Sequence, residues 1–376
     1  MSDETLKEKT ITKNKIAAED KLFGKTKQVV KKPPVLFKQT QDHLEQLSAI
    51  IGCPVLSYFK PPSGNIWSQD LYALMQGLKT IGKVDKLAVY LRSDGGSGMV
   101  SLRIIHLLRS FVKELILLAP SECASAATML ALGCDEIHMG PLSSLSPVDS
   151  SMVHQLSPMD KVGNKVSISF DELSRVVKLW NKEDANNDKL LDILESNKTQ
   201  NVYSNLDNPY KHLYNHIHPL VFGAVDRHSS LSARICREVL SYHITDQDTI
   251  QHITDKLNHD YPAHGYPITQ KEAISIGLPI RSLSDQALQI LNELQLLYGE
   301  MAEDQITDFD SISYHDNTVY SIIETVGMQI IYQHNYDKFY RENEKRYIIL
   351  NDKSGWSKNV FDMTKSGKIV TNRVFI

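Results

Sequence analysis

Paired glycines and a serine set among alanines are the residues of this sequence that could do chemistry. The glycines close the run RSDGG (Arg92–Gly96), and Ser125 lies in ECASAATMLALGCDEI (Glu122–Ile137). A glycine pair lets the backbone approach a substrate and turn its N–H groups outward, which is how an oxyanion site forms without side chains. A serine just after a strand-to-helix turn has an accessible Oγ, and the amide of Ala126 can join the oxyanion site. The chemistry that these groups could support is acyl transfer.

Alternating strands and helices must position these groups. Lys86–Arg92 (KLAVYLR) and Leu115–Ala119 are apolar runs of strand length, and the first ends directly at the glycines. Apolar residues at helical spacing follow each of them, which predicts parallel βαβ units with right-handed crossovers. In such sheets reactive groups gather at the carboxyl ends of the strands, where the glycine turn and Ser125 both fall. A turn rich in serine and proline, GPLSSLSPVD (Gly140–Asp149), completes the constellation.

The rest of the chain is predicted to add a tail, a helical insertion and a β appendage to this α/β core. Residues 1–44 are expected to form a lysine-rich mobile tail and residues 45–281 the core. Residues 282–376 are expected to form a C-terminal helix and a small antiparallel meander that begins near Val319.

Two capping boxes predict where helices of the second half begin. They are Ser169 with Glu172, and Thr269 with Glu272. The second helix is expected to end at Gly277, because glycine is favoured just after a helix.

The order of the motifs resembles that of the ClpP-class serine peptidases, and within them the serine dehydrogenase proteinase family with its signal peptide peptidase A relatives. The shared order is a strand, S-x-GG, a helix, a strand, A-S-A-x-T, a helix, D-E-I, a strand and GP-x-S-x-L-x-P-x-D. The segment HGYPITQKEAISIGLPI (His264–Ile280) resembles a late element of the family in which a capped helix ends in GL. Together the matches cover roughly residues 50–281.

This resemblance implies a fold and a set of roles. The fold is of the ClpP/crotonase type, an α/β core built on a parallel β-sheet. Ser125 matches the nucleophile of the family. Gly96 or Gly95, together with Ala126, matches the oxyanion donors.

The group that activates Ser125 is less clearly indicated. ClpP has a histidine in the loop after the P-x-S element, where this chain has Val148 and Asp149. The signal peptide peptidase A relatives instead use a Ser–Lys dyad, with the lysine some tens of residues after the serine. Lys165 and Lys161 lie 40 and 36 residues after Ser125 and match such a place. The resemblance therefore implies a lysine base.

Several alternatives stay open. His154 is a second candidate for the base, Asp149 could act as a base or orient one, and Lys178 is a third lysine. All three lysines could equally be solvated surface residues. The family usually has a glycine two residues after the nucleophile, where this chain has Ala127.

Composition narrows the classes of function. The net charge of −4 and the pI near 6.4 argue against a nucleic-acid binder. Residues 1–40 hold ten lysines against five acids, which predicts a solvated tail, with a membrane-surface or partner-binding arm as the alternative. The four cysteines show no CxxC pairing, so free thiols and a reducing, cytoplasmic location are expected. No GxGxxG, Walker or HExxH motif occurs, and neither a cofactor nor a metal is expected.

Three functions fit these residues. The first is a peptidase or amidase that acts on a peptide or protein by serine acyl transfer. The second is a crotonase-type acyl-CoA enzyme, which needs the oxyanion donors but no serine, and the third is a non-catalytic assembly or regulatory protein. The SDGG and ASA signatures favour the peptidase. Because proteins of this fold generally bury their active sites in rings or stacks, a homo-oligomer is also expected.

Overall fold

The predicted alternation of strands and helices is present in the first half of the chain. The structure, a computed structural model, describes residues 29–62, 64–149, 151–170, 172–176, 214, 216–362 and 368–374. The elements up to residue 169 are α1 (Phe37–Ile51), β1 (Val55–Phe59), α2 (Asp70–Ile81), β2 (Val84–Arg92), α3 (Gly98–Arg109), β3 (Val112–Ala119), β4 (Glu122–Cys123), α4 (Ala126–Leu132), β5 (Glu136–Met139), β6 (Ser144–Leu145), β7 (Ser151–Met152) and β8 (Ile168–Ser169).

The second half contains long helices and then a run of strands. Its elements are α5 (Pro219–Leu240), α6 (Gln247–His259), α7 (Gln270–Ile276), β9 (Ile280–Ser282), α8 (Asp285–Met301), β10 (Ile306–Asp308), β11 (Tyr314–Asp316), β12 (Val319–Thr325), β13 (Met328–Gln333), β14 (Tyr336–Arg341), β15 (Arg346–Leu350), β16 (Gly355–Asp362) and β17 (Lys368–Val374).

Five parallel strands form one half of a nine-stranded sheet. The strand order is β17-β16-β13-β12-β1-β2-β3-β5-β9, and the pairs from β1 to β9 are parallel. Helices cover both faces, so successive residues of β3 face opposite cores: Leu115 and Leu117 face one core, Ile116 and Leu118 the other. This explains why the central strands are unbroken apolar runs. The predicted α/β class with its parallel core is confirmed.

The C-terminal strands extend the core sheet instead of forming a unit of their own. β12 pairs antiparallel with β1, with Ile323 opposite Tyr58, and β13, β16 and β17 continue the sheet. Without β12, β1 would present a row of unpaired backbone groups at the edge of the sheet. The antiparallel strands expected after Val319 are present. They belong to the core sheet, so the predicted boundary at residue 282 does not divide the chain into a core and a separate β unit. Only β10, β11, β14 and β15 form a separate four-stranded sheet among the described residues.

The ordered part of the chain begins earlier than the sequence predicted. Residues 37–44, which were assigned to the mobile tail, lie in α1 and pack on the sheet through Phe37 and Leu44. Two polar residues of the same helix, Thr40 and Gln41, are also buried, because both donate to the Glu324 carboxylate of β12 at 2.6 and 2.7 Å. Residues 1–28 of the expected tail lie outside the described residues.

One of the two predicted capping boxes forms. The N–H of Ser169 donates to Glu172 Oε2 at 2.9 Å, and the N–H of Glu172 donates to Ser169 Oγ at 3.1 Å. The side chain of Thr269 makes no capping bond, although α7 ends at Gly277 in the left-handed conformation as expected. Residues 177–213, which were expected to be mostly helical, lie outside the described part of the chain.

The cysteines are free thiols in the core, as predicted. Cys53, Cys123, Cys134 and Cys236 are buried and unpaired. In the described part of the chain no helix has the length and apolar character needed to cross a bilayer. Within the same residues no cluster of three His, Cys, Asp or Glu side chains is suited to a metal ion.

The buried carboxyl of Glu324 should make stability depend on pH. Burial raises its pKa from 4.5 to about 7, against the opposing effect of four hydrogen-bond donors. The folded state therefore holds this proton more tightly than the unfolded state does. Its contribution is full below about pH 4.5 and is lost as the pH rises through about 7, by roughly 3 kcal/mol at most.

Urea denaturation of the Glu324→Gln variant between pH 4.5 and 8 should therefore show a flatter dependence of the unfolding free energy on pH. Glu342→Gln, at an exposed position, is the control and should keep the wild-type slope. Equal slopes for wild type and Glu324→Gln would assign the effect to other groups.

Candidate active site

Four backbone segments meet in a hydrogen-bonded ladder at the carboxyl edge of the sheet. Ser93 pairs with Cys123, Cys123 with Leu145, and Leu145 with Ile268. The N–H of Ala124 donates to Ser93 O at 2.9 Å, while Leu145 and Ile268 exchange two bonds of 3.0 and 2.9 Å. All four paired residues are buried. The ladder therefore brings together segments that lie up to 175 residues apart in the chain.

The glycine pair that follows Ser93 lies directly against Ser125. Gly95 and Gly96 have φ angles of 120° and 141°. A Cβ atom on Gly95 would lie 2.8 Å from Ser125 Cβ, and one on Gly96 would lie 2.4 Å from the backbone N of Ile66. Glycine is therefore required at both positions, by backbone conformation and by space.

Two backbone N–H groups beside the serine are free to bind an oxyanion. Ile66 donates to Gly95 O at 2.8 Å and Ser97 donates to Ile66 O at 3.0 Å, and the intervening N–H of Gly96 has no acceptor in the described part of the chain. The N–H of Ala126 also has no acceptor among the described residues. Both residues line the same cleft, so the predicted oxyanion donors lie together.

Ser125 has a strained backbone. The residue lies between β4 and α4. Its backbone angles, φ 53° and ψ −117°, fall in a region of φ/ψ space that residues with a Cβ seldom occupy. Such a conformation costs about 1–3 kcal/mol and persists where the surroundings enforce it, as at the sharp nucleophile turns of α/β-hydrolases. Ser125 therefore has the backbone expected of a nucleophile.

A cleft of about 420 Å³ opens over Ser125. Its apolar lining consists of Met99, Met129, Val148, Leu231 and Ile235. Helix α5 supplies one wall and is tied to the loop below it, because Ser232 Oγ donates to Val148 O at 2.6 Å. His228 and His264 also line the cleft.

His264 is paired with an acid at this cleft. Its Nδ1 lies 2.9 Å from Asp149 Oδ1, and the carboxyl side chain is only 18% exposed. The hydrogen bond from the ring to Asp149 raises the pKa of His264 above its ordinary 6.5. Since Nδ1 is bound to the carboxylate, Nε2 is the nitrogen left for a substrate or for Ser125.

The ladder explains why this pair forms. Asp149 follows Leu145 by four residues, and His264 precedes Ile268 by four. Because Leu145 and Ile268 are antiparallel partners, the two side chains reach the same end of the ladder. Ser125 follows Cys123, the neighbour of Leu145, and so lies on the same edge.

Neither Lys165 nor Lys161 lines the cleft that contains Ser125. Lys165 is exposed and its Nζ donates to Gln155 O at 2.6 Å, in a loop away from the cleft lining. Lys161 is likewise exposed and does not line the cleft. Lys178 lies outside the described residues.

Of the two other residues singled out near Ser125, one contacts a residue that lines the cleft. His154 accepts a bond from the N–H of Leu156 at 3.1 Å and does not line the cleft. Asp149, predicted as a base or an orienting group, contacts His264.

Sequence reasoning assigned no role to His264. The histidine begins the segment HGYPI, where it was part of a family-like pattern, but it lies 139 residues after Ser125. The sequence feature that could have indicated a role is that His264 lies in a loop rich in glycine and proline and does not belong to the apolar face of a predicted helix or strand. Partners of a nucleophile are adjacent in space and not in sequence, so the chain order could not select it.

Comparison with known proteins gives matches only among solved structures. No protein-family model matches the chain, and no curated protein does. The chain is similar to a serine-to-alanine mutant of the 1510-N membrane-bound stomatin-specific protease, with 12% identity, coverage of 65% of this chain and 83% of that chain, and a TM-score of 0.34. It is also similar to a lysine-to-alanine mutant of that protease in complex with a substrate peptide, with 13% identity, coverage of 59% and 71%, and a TM-score of 0.32.

Both similar structures are proteases. At such TM-scores the likeness assigns no residue. The roles proposed below therefore depend on the geometry of this chain.

Replacing Gly95 should abolish the reactivity of Ser125. In Gly95→Ala the new Cβ would lie 2.8 Å from Ser125 Cβ and 3.2 Å from its Oγ, so the serine must move. We expect its labelling by a fluorophosphonate to fall by roughly 100-fold or more, as for loss of an oxyanion site. Gly82→Ala is the matched control, because Gly82 also has a positive φ (81°) but no neighbour within 4 Å of a Cβ. Equal labelling of the two variants would contradict the assignment.

Proposed function

We propose that this protein is a serine peptidase that cleaves peptide bonds by acyl transfer through Ser125. One observation carries the proposal: a single cleft contains the strained Ser125, the free N–H groups of Gly96 and Ala126, and the His264 imidazole. These are the nucleophile, oxyanion donors and base of an acyl-transfer site, and the carboxylate of Asp149 orients the base.

In the proposed reaction His264 Nε2 accepts the proton of Ser125 Oγ as the oxygen attacks the carbonyl carbon. Gly96 and Ala126 donate to the oxyanion that forms, while Asp149 stabilises the imidazolium through Nδ1. The C–N bond then breaks and His264 returns the proton to the departing amine. A water molecule attacks the resulting ester with the same imidazole as base, which releases the acid and restores Ser125.

Peptides are the proposed substrates because the motif order resembles that of the ClpP-class peptidases. The apolar cleft walls also suit the side chains of a peptide. A crotonase-type acyl-CoA enzyme needs only the oxyanion donors. A strained Ser125 in the same cleft as a histidine that is paired with Asp149 favours covalent catalysis instead.

Labelling of Ser125 tests the nucleophile and its base together. We expect a fluorophosphonate probe to label the wild type and not Ser125→Ala. His264→Ala should lower the labelling rate about 100-fold or more, because the serine proton loses its acceptor. Lys165→Ala and Lys161→Ala should keep the wild-type rate. The measurement is the rate of probe incorporation by folded protein, with cleavage of a peptide library as the companion assay.

His154→Ala is the matched control for this test, since it removes a histidine that does not line the cleft. If His264→Ala reacts normally while Lys165→Ala does not, the base is the lysine that the resemblance implied. If the wild type is never labelled, a non-catalytic assembly or regulatory role is the better description.

The pH dependence of labelling should identify the Asp149–His264 pair. Only neutral imidazole can accept a proton, so the rate should rise with pH through a midpoint above 6.5, since the pKa of His264 is raised. In Asp149→Asn the midpoint should move to lower pH, while the plateau falls because the ring loses its orientation. Asp255→Asn, on the exposed face of α6, should leave the profile unchanged. An unshifted midpoint in Asp149→Asn would exclude this pair.

Two expectations from the sequence stay predictions. They are a homo-oligomer, which light scattering would detect, and a cytoplasmic location.

A further inference from the structure

The backbone of Ser125 is held by a side chain from another rung of the ladder. The N–H of Ser125 donates to Ser146 Oγ at 2.7 Å, and Ser146 is 4% exposed. The hydroxyl of Ser146 donates its own proton to Pro147 O at 3.0 Å. Its oxygen is therefore left as an acceptor, and the direction of the bond to Ser125 is determined.

Ser146 is itself held by hydrogen bonds that involve residues before and after Ser125 in the chain. Its N–H donates to Thr128 Oγ1 at 3.0 Å, and that hydroxyl donates to Cys123 O at 2.9 Å. Cys123 precedes Ser125 and Thr128 follows it in the first turn of α4. The three bonds thus close a ring around Ser125 in which Cys123, Thr128 and Ser146 are buried.

This ring acts on the one peptide group that sets the φ angle of Ser125. A relaxed Ser125 would take a negative φ, which requires the peptide between Ala124 and Ser125 to rotate. Rotation of this peptide turns the Ser125 N–H away from Ser146. The same rotation displaces both the Ser125 Oγ and the N–H of Ala126. Because Ser146 is buried, rotation would leave its hydroxyl oxygen without this donor, so the acceptor disfavours rotation.

We infer that Ser146 is a positioning residue, whose hydroxyl oxygen holds Ser125 in the strained conformation that directs its Oγ and the Ala126 N–H into the cleft. The inference rests on the proposed function and deepens it. Ser146 touches no reacting atom and acts only through the backbone of Ser125.

A neighbouring serine provides a matched control. Ser143 lies in the same turn and is 5% exposed, and its Oγ has no hydrogen-bond partner among the described residues. Ser143→Ala and Ser146→Ala therefore remove the same atom from equally buried positions. They differ in whether that atom holds Ser125.

The experiment measures the fluorophosphonate labelling rate of the full chain as a function of pH, with the melting temperature recorded for each variant. Ser146→Ala should lose roughly 10- to 100-fold at the plateau, the range expected for a buried donor left without an acceptor. Its pH midpoint should match that of the wild type, because His264 and Asp149 are unchanged. Ser146→Thr keeps the hydroxyl and should recover most of the rate, while Ser143→Ala should label normally.

The outcomes separate this inference from the proposed function. A wild type that is never labelled overturns the proposed function itself. A labelled wild type with Ser146→Ala at the same rate, or with Ser143→Ala equally impaired, overturns only the role of Ser146. Should Ser146→Ala fail to fold, Thr128→Val removes the hydroxyl that accepts the Ser146 N–H. If Thr128→Val lowers the labelling rate by less than the 10- to 100-fold expected for Ser146→Ala and leaves the pH midpoint unshifted, the inference is supported. If Thr128→Val is labelled at the wild-type rate, the inference is overturned.

Discussion

The backbone ladder formed by Ser93, Cys123, Leu145 and Ile268 is the constraint on which the rest of the site depends. Each rung is a pair of main-chain groups in a fully buried setting, where an unmade hydrogen bond is costly. The ladder places each of these segments one strand spacing, about 4.8 Å, from the next. It thereby fixes where the glycine turn, the nucleophile turn and the His264 loop lie relative to one another. These main-chain bonds hold the segments together without using the side chains of Ser125, Asp149 or His264, which are left for chemistry.

A buried ion pair supports the loop that packs against the glycine turn. Lys60 Nζ lies 2.7 Å from Asp70 Oδ1, and both side chains are almost fully buried. Asp70 also accepts bonds from the backbone and indole N–H groups of Trp67, which shapes the loop that carries Ile66. Ile66 in turn bonds to the residues on both sides of Gly96, which lines the cleft. Removing one partner of such a pair leaves an unpaired buried charge, at a cost of about 3–5 kcal/mol.

Strain and electrostatics then complete the site. The left-handed backbone of Ser125 is unfavourable by itself and persists because the bonds around it do not allow it to relax. The carboxylate of Asp149 favours the charged form of His264, the form that exists after a serine proton has been taken up. The exposed ammonium of Lys165, bound to a loop carbonyl, has no comparable environment.

The sequence by itself determined the fold class, the central strands and the two turns that carry the glycine pair and Ser125. Those features depend on local patterns: apolar runs of strand length, helical spacing, and glycines where only glycine fits. The start of α1 and the joining of β12 to the core sheet could not be predicted, because the partners Thr40 and Glu324 lie 284 residues apart. The pairing of His264 with Asp149 was decided only by the tertiary structure. Its cause is the ladder, whose hydrogen bonds join backbone groups that are identical in every residue and leave no trace in the sequence.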